Sequence, residues 1–303
     1  MHRGLTPDLL ARLTGPRPVL DPRRHIARPD LVDIALAAEV AAARYVVPLP
    51  MCCAAPRTPM RNAGTAAATA VSELLFGERF DVFEIAGDWA FGRSIADTYT
   101  GWVRLEALAD PATTPVCRVT ARIAPIFADA DIKSALLAEL PFGAQLSGMA
   151  GDRFMALAGG GFVHNRHVAP LPPSPIDIAR IFTGAPYSWG GRTPGGVDCS
   201  GLVQAALAAC GIAAPRDSDQ QLAELGTAVA FEDREAGDLV FFPGHVGLLS
   251  ARDTLFHANA YWMATVEEPL ADVIARLTAT GAVQPVTGVR RVRLPVAGKG
   301  VGA

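Results

Sequence analysis

A pattern of glycines and aromatic residues that occurs twice in the first half of this 303-residue chain constrains its fold most strongly. Short apolar runs alternate there with Gly, Pro and Asp turns, which is typical of antiparallel β structure. Three segments recur in order, at offsets of 66, 64 and 60 residues: Leu74 to Gly77 as Leu140 to Gly143, Ala86 to Asp88 as Ala150 to Asp152, and Gly101 to Val103 as Gly161 to Val163. The repeat therefore predicts two similar β units of about 60 residues each.

The end of each copy indicates which kind of β unit to expect. The first copy ends on Gly101-Trp102-Val103, which resembles the last strand of bacterial SH3-like domains, whereas the second has Phe162 at the tryptophan position. Either copy alone would also fit an ordinary core aromatic beside a turn glycine, and the ordered repeat favours the resemblance. It implies two SH3-like barrels, at residues 45–110 and, in degenerate form, at 111–170. A proline-rich stretch, residues 169–175, predicts a stiff linker after them.

Composition excludes several classes of protein. Half of the residues are hydrophobic, 19% are charged and the net charge is −3, so we expect a globular protein without a nucleic-acid partner. The longest stretch free of charged residues spans 17 residues, Cys199 to Pro215, and contains glycine and proline. It makes a poor membrane span, and we expect no membrane partner.

The N-terminal region and the cysteines suggest where the protein works. Charged residues or prolines interrupt the first 25 residues every few positions, so no apolar core of a secretory signal is visible. The chain has an odd number of cysteines and no CxxC pair: Cys52, Cys53, Cys117, Cys199 and Cys210. This pattern favours free thiols, and we expect a cytoplasmic protein.

The N-terminal extension, residues 1–44, contains a candidate helix. The alanine-rich segment from Leu31 to Arg44 predicts it, with Asp30 as its cap and Asp33 near its positive end. We therefore expect an α+β chain in which this helix precedes the two barrels and a further domain, residues 171–303.

Cys199 is the best candidate for a nucleophile. Leu202, Val203, Ala206 and Leu207 form one stripe of a predicted helix, for which Asp198 is the expected N-cap. A thiol in the first turn lies near the positive end of the helix dipole, which favours the thiolate and lowers its pKa. The alternative is a small buried apolar residue, the interpretation that we prefer for Cys210.

Two histidines downstream can complete a catalytic set. His245 and His257 are each flanked by apolar runs that predict neighbouring strands. His245 would take the thiol proton and return it to the leaving amine, and His257 would orient the first imidazole. A zinc site of Cys199, His245 and His257 is the alternative, but it lacks a fourth ligand and paired spacing. No phosphate-binding glycine loop is present, and we expect no metal or other cofactor.

Four segments around these residues resemble the NlpC-type cell-wall cysteine peptidases: Pro186 to Gly191, Asp198 to Gly201, Gly237 to Phe242, and His245 to Gly247. The resemblance covers roughly residues 174–290. It implies a papain-like fold, a Cys-His-His triad and cleavage of murein peptides. Together with the SH3-like units, the chain is similar to the γ-D-glutamyl-L-diamino acid endopeptidases of the dipeptidyl-peptidase VI type.

The resemblance also implies roles for further residues. Tyr187 would support the oxyanion and Trp189 would shape the cleft wall. An acid of the first barrel would also contact the substrate, and Glu73 is preferred over Glu78 for this role. The remaining implied substrate contacts are Tyr99, Asp198, Ser200, Asp217 and Ser218. Asp217 would bind the free ammonium of an N-terminal L-Ala.

The interpretation that follows is a cysteine peptidase of cell-wall recycling. It would cut the bond between γ-D-Glu and the diamino acid in released murein peptides. Two alternatives stay open. One is a non-catalytic module that binds wall peptides, and the other is a thiol amidase or acyltransferase acting on another substrate.

Overall fold

The computed structural model describes residues 19–111, 114–171 and 173–294 of the chain. Parts of four predicted units lie outside these residues: positions 1–18 of the N-terminal extension, positions 112–113 of the second barrel, Pro172 of the linker and positions 295–303 of the C-terminal domain. Within the described ranges, no helix has the length and apolar character that crossing a lipid bilayer requires. The architecture is α+β, with many strands and few helices.

The predicted helix from Leu31 to Arg44 is wrong. This region contributes to a small sheet with strand order β1-β2-β3, in which β2 and β3 run parallel. The strands are β1 (Ala27–Arg28), β2 (Leu31–Asp33) and β3 (Tyr45–Val46). A single 3-10 turn, Ile34–Leu36, follows β2.

Burial explains why the helix does not form. Leu31 is 1% exposed and packs with Ile26 and Phe83 of the first barrel. Asp33 is also buried, and its carboxylate pairs with Arg93 at 2.9 Å while capping the short turn. Helix propensities differ by less than about 1 kcal/mol per residue, so these contacts override the preference of the alanines.

The first barrel is a seven-stranded sheet with strand order β10-β4-β7-β8-β9-β5-β6. Its strands are β4 (Leu49–Cys53), β5 (Arg57–Arg61), β6 (Ala70–Leu75), β7 (Arg79–Ala86), β8 (Trp89–Ser94), β9 (Thr100–Arg104) and β10 (Leu108–Ala109). Met60, Leu74 and Phe80 fill its core, each fully buried.

The second unit repeats this topology. A five-stranded sheet has the order β13-β12-β17-β16-β15, which matches β6-β5-β9-β8-β7 of the first barrel, and β11 pairs separately with β14. Its strands are β11 (Cys117–Arg118), β12 (Ile123–Phe127), β13 (Leu136–Pro141), β14 (Gln145–Leu146), β15 (Gly148–Ala150), β16 (Phe154–Leu157) and β17 (Phe162–His164). The shared strand order agrees with an internal duplication.

The two barrels meet through backbone. The N–H of Gln145 donates to the carbonyl of Phe76 at 2.8 Å. Gly77 has φ +77°, and a Cβ there would lie 2.2 Å from the carbonyl oxygen of Gln145. Glycine is therefore required at this turn both for its conformation and for the close approach.

The C-terminal unit places one buried helix against an antiparallel sheet of order β20-β25-β21-β22-β23-β24, beside a two-stranded ribbon of β18 and β19. Its helices are α1 (Pro175–Arg180), α2 (Cys199–Ala209), α3 (Ser218–Glu224) and α4 (Leu270–Ala279). Its strands are β18 (Arg192–Thr193), β19 (Gly196–Val197), β20 (Thr227–Ala228), β21 (Leu239–Phe242), β22 (His245–Ala251), β23 (Thr254–Asn259), β24 (Ala264–Pro269) and β25 (Gly288–Arg291). The predicted stripe of α2 is confirmed, since Leu202, Val203, Ala206 and Leu207 are all buried.

Arg192 connects the first barrel to the C-terminal unit. Its guanidinium donates to both carboxylate oxygens of Glu78, at 2.9 and 3.0 Å. Its backbone N–H donates to the Glu73 carboxylate at 2.9 Å. Both glutamates are less than a tenth exposed, so these charges depend on each other for compensation.

We expect Arg192→Met to destabilise the protein by about 3 kcal/mol, because it leaves Glu78 buried without its cation. The matched control is Arg57→Met, since Arg57 also pairs with Glu73 but is about half exposed. The control should cost less than about 1 kcal/mol. Urea unfolding followed by tryptophan fluorescence measures both, and equal shifts would contradict the role given to Arg192.

Candidate active site

Asp198 holds Cys199 at the entrance of the buried helix. As predicted, Asp198 is the N-cap of α2, and its carboxylate accepts the N–H of Gly201 at 2.8 Å. The other carboxylate oxygen accepts the N–H of Gly190 at 2.8 Å. Arg216, which is fully buried, donates to both oxygens at 3.0 and 2.6 Å. The loop before the helix and the first turn of α2 are thus fixed by one carboxylate.

The environment of Cys199 differs from the sequence-based expectation. Burial, together with the Asp198 carboxylate, raises the pKa of the thiol to about 11. The N–H groups of Val246 and Ser200 and the Arg216 guanidinium oppose this rise in pKa. The expected lowering is therefore wrong for the resting site, because loss of solvation outweighs these hydrogen bonds and the guanidinium charge. A neutral thiol needs a base before it can attack.

His245 is placed to be that base. It begins β22 and directly precedes Val246, whose N–H contacts the sulfur. Burial, assisted by His257 and opposed by Glu268, lowers the pKa of His245 to about 3. The ring is therefore neutral near pH 7 and has a lone pair to accept the thiol proton.

Beyond His245, a line of hydrogen bonds runs through the sheet. His245 Nε2 lies 2.8 Å from His257 Nδ1, and His257 Nε2 lies 2.8 Å from Glu268 Oε1. The Arg276 guanidinium then donates to the same carboxylate, at 2.7 Å to Oε2. His257 is wholly buried, and its strand pairs with both β22 and β24. The two histidines therefore lie on neighbouring strands, as predicted.

Cys199 is among the residues that line a cavity of about 320 Å³. Val71 and Tyr99 of the first barrel form one side, and the C-terminal unit forms the other. The residues from the C-terminal unit are Trp189, Asp198, Cys199, Ser200, Asp217, Ser218, Asp219 and Gly244. A larger cavity of about 680 Å³ lies between the two barrels and contains none of the predicted catalytic residues.

Asp217 is the charged group at the barrel side of the cavity. Its Oδ2 accepts the Tyr99 hydroxyl at 3.0 Å and Arg23 Nη1 at 2.9 Å. Arg23 also donates to both oxygens of Asp219 and pairs with Asp21. Three carboxylates thus surround one guanidinium, so this end of the cavity keeps a negative charge that suits a cationic group.

Comparison with known proteins agrees with this geometry. Residues 184–278, which include Cys199, His245 and His257, match the NlpC/P60 family. The chain carries an NlpC/P60 cysteine peptidase domain. Residues 60–108 match the bacterial dipeptidyl-peptidase Sh3 domain, which lies within the first predicted barrel.

Individual relatives cover different parts of the chain. A probable endopeptidase of Corynebacterium glutamicum is 45% identical over 86 residues, which are 27% of this chain and 41% of that protein. The chain thus spans about two fifths of that relative. The γ-D-glutamyl-L-lysine dipeptidyl-peptidase of Bacillus subtilis is 28% identical over 214 residues, 62% of this chain and 71% of that protein. A crystal structure of an NlpC/P60 family protein from Bacillus cereus shares the fold, with a TM-score of 0.68 and 21% identity over 82% of this chain and all of that one.

The structure brings most predicted site residues of the NlpC/P60 domain and its barrel to one place. Seven line the cavity: Tyr99, Trp189, Asp198, Cys199, Ser200, Asp217 and Ser218. Asp198 and Ser200 are committed to internal bonds with Arg216. Burial raises the pKa of the Tyr187 phenol to about 12, and the charge of the nearby Cys199 is the next largest cause of the rise. The phenol therefore remains a hydrogen-bond donor near pH 7.

Glu73 does not reach the cavity. One of its carboxylate oxygens accepts from Arg57 and the other from the N–H of Arg192, so it belongs to the junction between barrel and NlpC/P60 domain. The rival, Glu78, is held by the Arg192 guanidinium. The structure therefore places neither barrel glutamate among the residues that line the cavity.

Sequence reasoning missed four charged residues of this site: Arg23, Arg216, Glu268 and Arg276. Arg216 directly precedes the predicted contact Asp217 and could have been examined as a buried cation. Glu268 follows His257 by 11 residues and precedes Arg276 by eight, on either side of a strand–helix junction. No local pattern links Arg23 with Asp217, because 194 residues separate them.

The lowered pKa of His245 leads to a direct test. A histidine in water titrates near pH 6.5, whereas this ring should stay neutral down to well below that value. We expect its ring ¹⁵N shifts to remain constant between pH 8 and about 5 in the absence of substrate. A midpoint near 6.5 for His245 would contradict the burial argument.

Proposed function

We propose that this protein hydrolyses the bond between γ-D-Glu and the diamino acid in murein peptides that carry a free N-terminal L-Ala. The carrying observation is that Asp217, bonded to Tyr99, lies in the same cavity as the Cys199 sulfur. A carboxylate at that position suits the ammonium of a short peptide whose scissile carbonyl reaches the sulfur. The name of the similar Bacillus subtilis dipeptidyl-peptidase supports this choice of substrate.

The chemistry follows from the neutral thiol and imidazole in this papain-like arrangement. His245 takes the proton of Cys199 as the sulfur attacks the γ-carbonyl carbon of D-Glu, and the carbonyl oxygen becomes an oxyanion. Tyr187 donates to that oxygen, a contact that contributes about 3 kcal/mol in comparable sites. Collapse breaks the C–N bond, and the His245 proton passes to the leaving amine of the diamino acid. Water, deprotonated by His245, then hydrolyses the thioester and releases L-Ala-D-Glu.

The size of the cavity also supports the release of a dipeptide as the proposed product. One side of it is formed by Tyr99 and Val71 of the first barrel, next to the pair of Asp217 with Arg23. About 320 Å³ has room for few residues beyond the scissile bond, so a longer N-terminal extension would collide with the barrel. Ser218 lines the same space and adds a hydroxyl for the free α-carboxylate of D-Glu.

The requirement for a free amine suggests a role in cell-wall recycling. In intact murein the L-Ala nitrogen is acylated, so it cannot form an ion pair with Asp217. Released peptides regain the ammonium. We therefore propose that the protein acts in the cytoplasm on such released peptides, in line with the sequence expectation.

The first experiment compares two peptides by mass spectrometry of the products. L-Ala-γ-D-Glu-meso-diaminopimelate should be cleaved by the wild type, and the N-acetylated peptide should not, because acetylation removes the charge that Asp217 recognises. Cys199→Ala should cleave neither. Equal cleavage of both peptides would contradict the amine gate, and cleavage by Cys199→Ala would contradict the thiol mechanism. Binding without cleavage by the wild type would favour the binding-module alternative.

Asp217→Asn should reduce kcat/KM for the free-amine peptide about 10- to 100-fold, mainly through KM. A hydrogen bond to a charged group contributes about 1.5–3 kcal/mol, and the amide retains an acceptor for Tyr99. The matched control is Asp219→Asn, which removes a charge from the same Arg23 cluster at a side chain that is 66% exposed. We expect less than a fivefold effect there, about 1 kcal/mol or less. Equal losses of kcat/KM in the two variants would show that the peptide ammonium is recognised by the overall charge of the cluster and not by Asp217.

A further inference from the structure

Glu268 lies beyond the two histidines that the triad interpretation uses, yet it is in direct contact with one of them. Its Oε1 is 2.8 Å from His257 Nε2, and the glutamate is 8% exposed. Arg276, on α4, donates to both of its oxygens. Its guanidinium lies over the Tyr261 ring, 4.5 Å from the centroid. An arginine held in this way keeps the carboxylate fixed in position.

The Arg276 contact also determines the charge of Glu268. Burial opposes ionisation, but the hydrogen bonds from Arg276 and His257 outweigh it, so the pKa of Glu268 lies below its usual value. An ionised carboxylate only accepts hydrogen bonds. The proton between these two groups therefore belongs to His257 Nε2.

The position of that proton determines the tautomers of both His257 and His245. A neutral His257 with hydrogen on Nε2 has a free lone pair on Nδ1, which accepts from His245 Nε2. His245 then carries its hydrogen on Nε2, and its Nδ1 is left without one. Nδ1 becomes the nitrogen that can take the Cys199 proton. The base is available only while His257 remains in this form.

Asn259 provides a competing contact. Its Oδ1 accepts the N–H of Tyr261, which turns the amide Nδ2 toward His257 Nε2 at 3.4 Å. An amide nitrogen is a donor, so it favours a lone pair on Nε2 and hydrogen on Nδ1 of His257. That form would donate to His245 and put the His245 hydrogen on the wrong nitrogen. At 2.8 Å the charged carboxylate is the stronger partner, and it decides the tautomer.

We propose that Glu268, held by Arg276, is a positioning residue that keeps His257 protonated at Nε2 and thereby keeps His245 Nδ1 free to accept the Cys199 proton. The groups that face His257 are His245 on β22, Glu268 on β24, Asn259 on the same strand as His257, and Arg276 on α4. The catalytic step rests on the proposed function, but the proton arrangement does not depend on which substrate is cleaved.

The wild-type protein gives the first test. Long-range ¹H–¹⁵N spectra distinguish a ring nitrogen that carries hydrogen from one that does not. In the resting wild type we expect hydrogen on Nε2 of His257 and none on its Nδ1. Hydrogen on His257 Nδ1 would overturn the proposal without any mutation.

Two variants of Glu268 then separate its effect on the His257 tautomer from the effect of its negative charge. Glu268→Gln keeps an oxygen acceptor for His257 Nε2 but loses the charge that favours an imidazolium, so we expect kcat to fall about tenfold. Glu268→Ala loses both and leaves Asn259 unopposed, so we expect about a 100-fold fall and a shift of the hydrogen to Nδ1. KM should change less than twofold in both, because the glutamate lies outside the peptide cavity.

A readout that needs no substrate keeps this test apart from the proposed activity. The rate of Cys199 alkylation by iodoacetamide, followed between pH 5 and 9 by mass spectrometry of the Cys199 peptide, reports proton transfer to His245. We expect the rate at pH 7 to fall about tenfold in Glu268→Ala, with a smaller fall in Glu268→Gln. Cys199→Ala gives the background.

Glu267→Gln is the matched control. Glu267 is the adjacent residue, is exposed and pairs only loosely with Arg180, at 3.7 Å. It should leave alkylation and kcat unchanged. Melting curves establish that each variant is folded. A folded Glu268→Ala protein with the wild-type alkylation profile, or an equal loss in Glu267→Gln, would overturn the proposal.

Discussion

The buried pair of Asp198 and Arg216 joins the helix that carries Cys199, the loop before that helix and the first barrel. Asp198 caps the helix that carries Cys199 and bonds the preceding loop at Gly190. Arg216 precedes Asp217 directly and also donates to Ser72 Oγ of the first barrel at 3.1 Å. One guanidinium thus links the nucleophile, the proposed amine-binding carboxylate and the barrel wall. Because both charges are removed from water, neither can be lost without leaving the other unpaired.

Around this pair, burial sets the state of the reacting groups. The same desolvation that raises the pKa of Cys199 lowers that of His245, so both are neutral at rest. The reactivity of Cys199 then depends on transfer of its proton to His245 more than on a preformed thiolate. The hydrogen bonds from His245 through His257 to Glu268 favour this transfer. Because an ionised carboxylate can only accept, its place at the end of the line permits a single arrangement of protons on the two imidazoles.

The features that sequence predicted well are those with local signals. The N-cap at Asp198, the apolar stripe of α2 and the strands around His245 and His257 follow from capping preference and periodicity. The duplicated strand order follows from repeated turn glycines. The helix over Leu31 to Arg44 was wrong because tertiary burial of Leu31 and Asp33 overrides alanine propensity. Glu73 was misplaced because its partner, Arg192, is 119 residues away. Long-range ion pairs leave no trace in local sequence.

One side of the cavity belongs to a different folding unit from the nucleophile. Tyr99 and Val71 come from a barrel whose own core is complete, whereas Cys199 and its histidines lie in the NlpC/P60 domain. The shape of the cleft thus depends on how two separate units dock, through contacts that include those of Arg192 and Arg216. Evolution can therefore alter how much peptide is admitted by exchanging or reshaping the neighbouring unit, while the bond-breaking apparatus stays untouched. Selectivity of this kind depends on which unit is docked beside the NlpC/P60 domain, because that unit supplies part of the cavity lining.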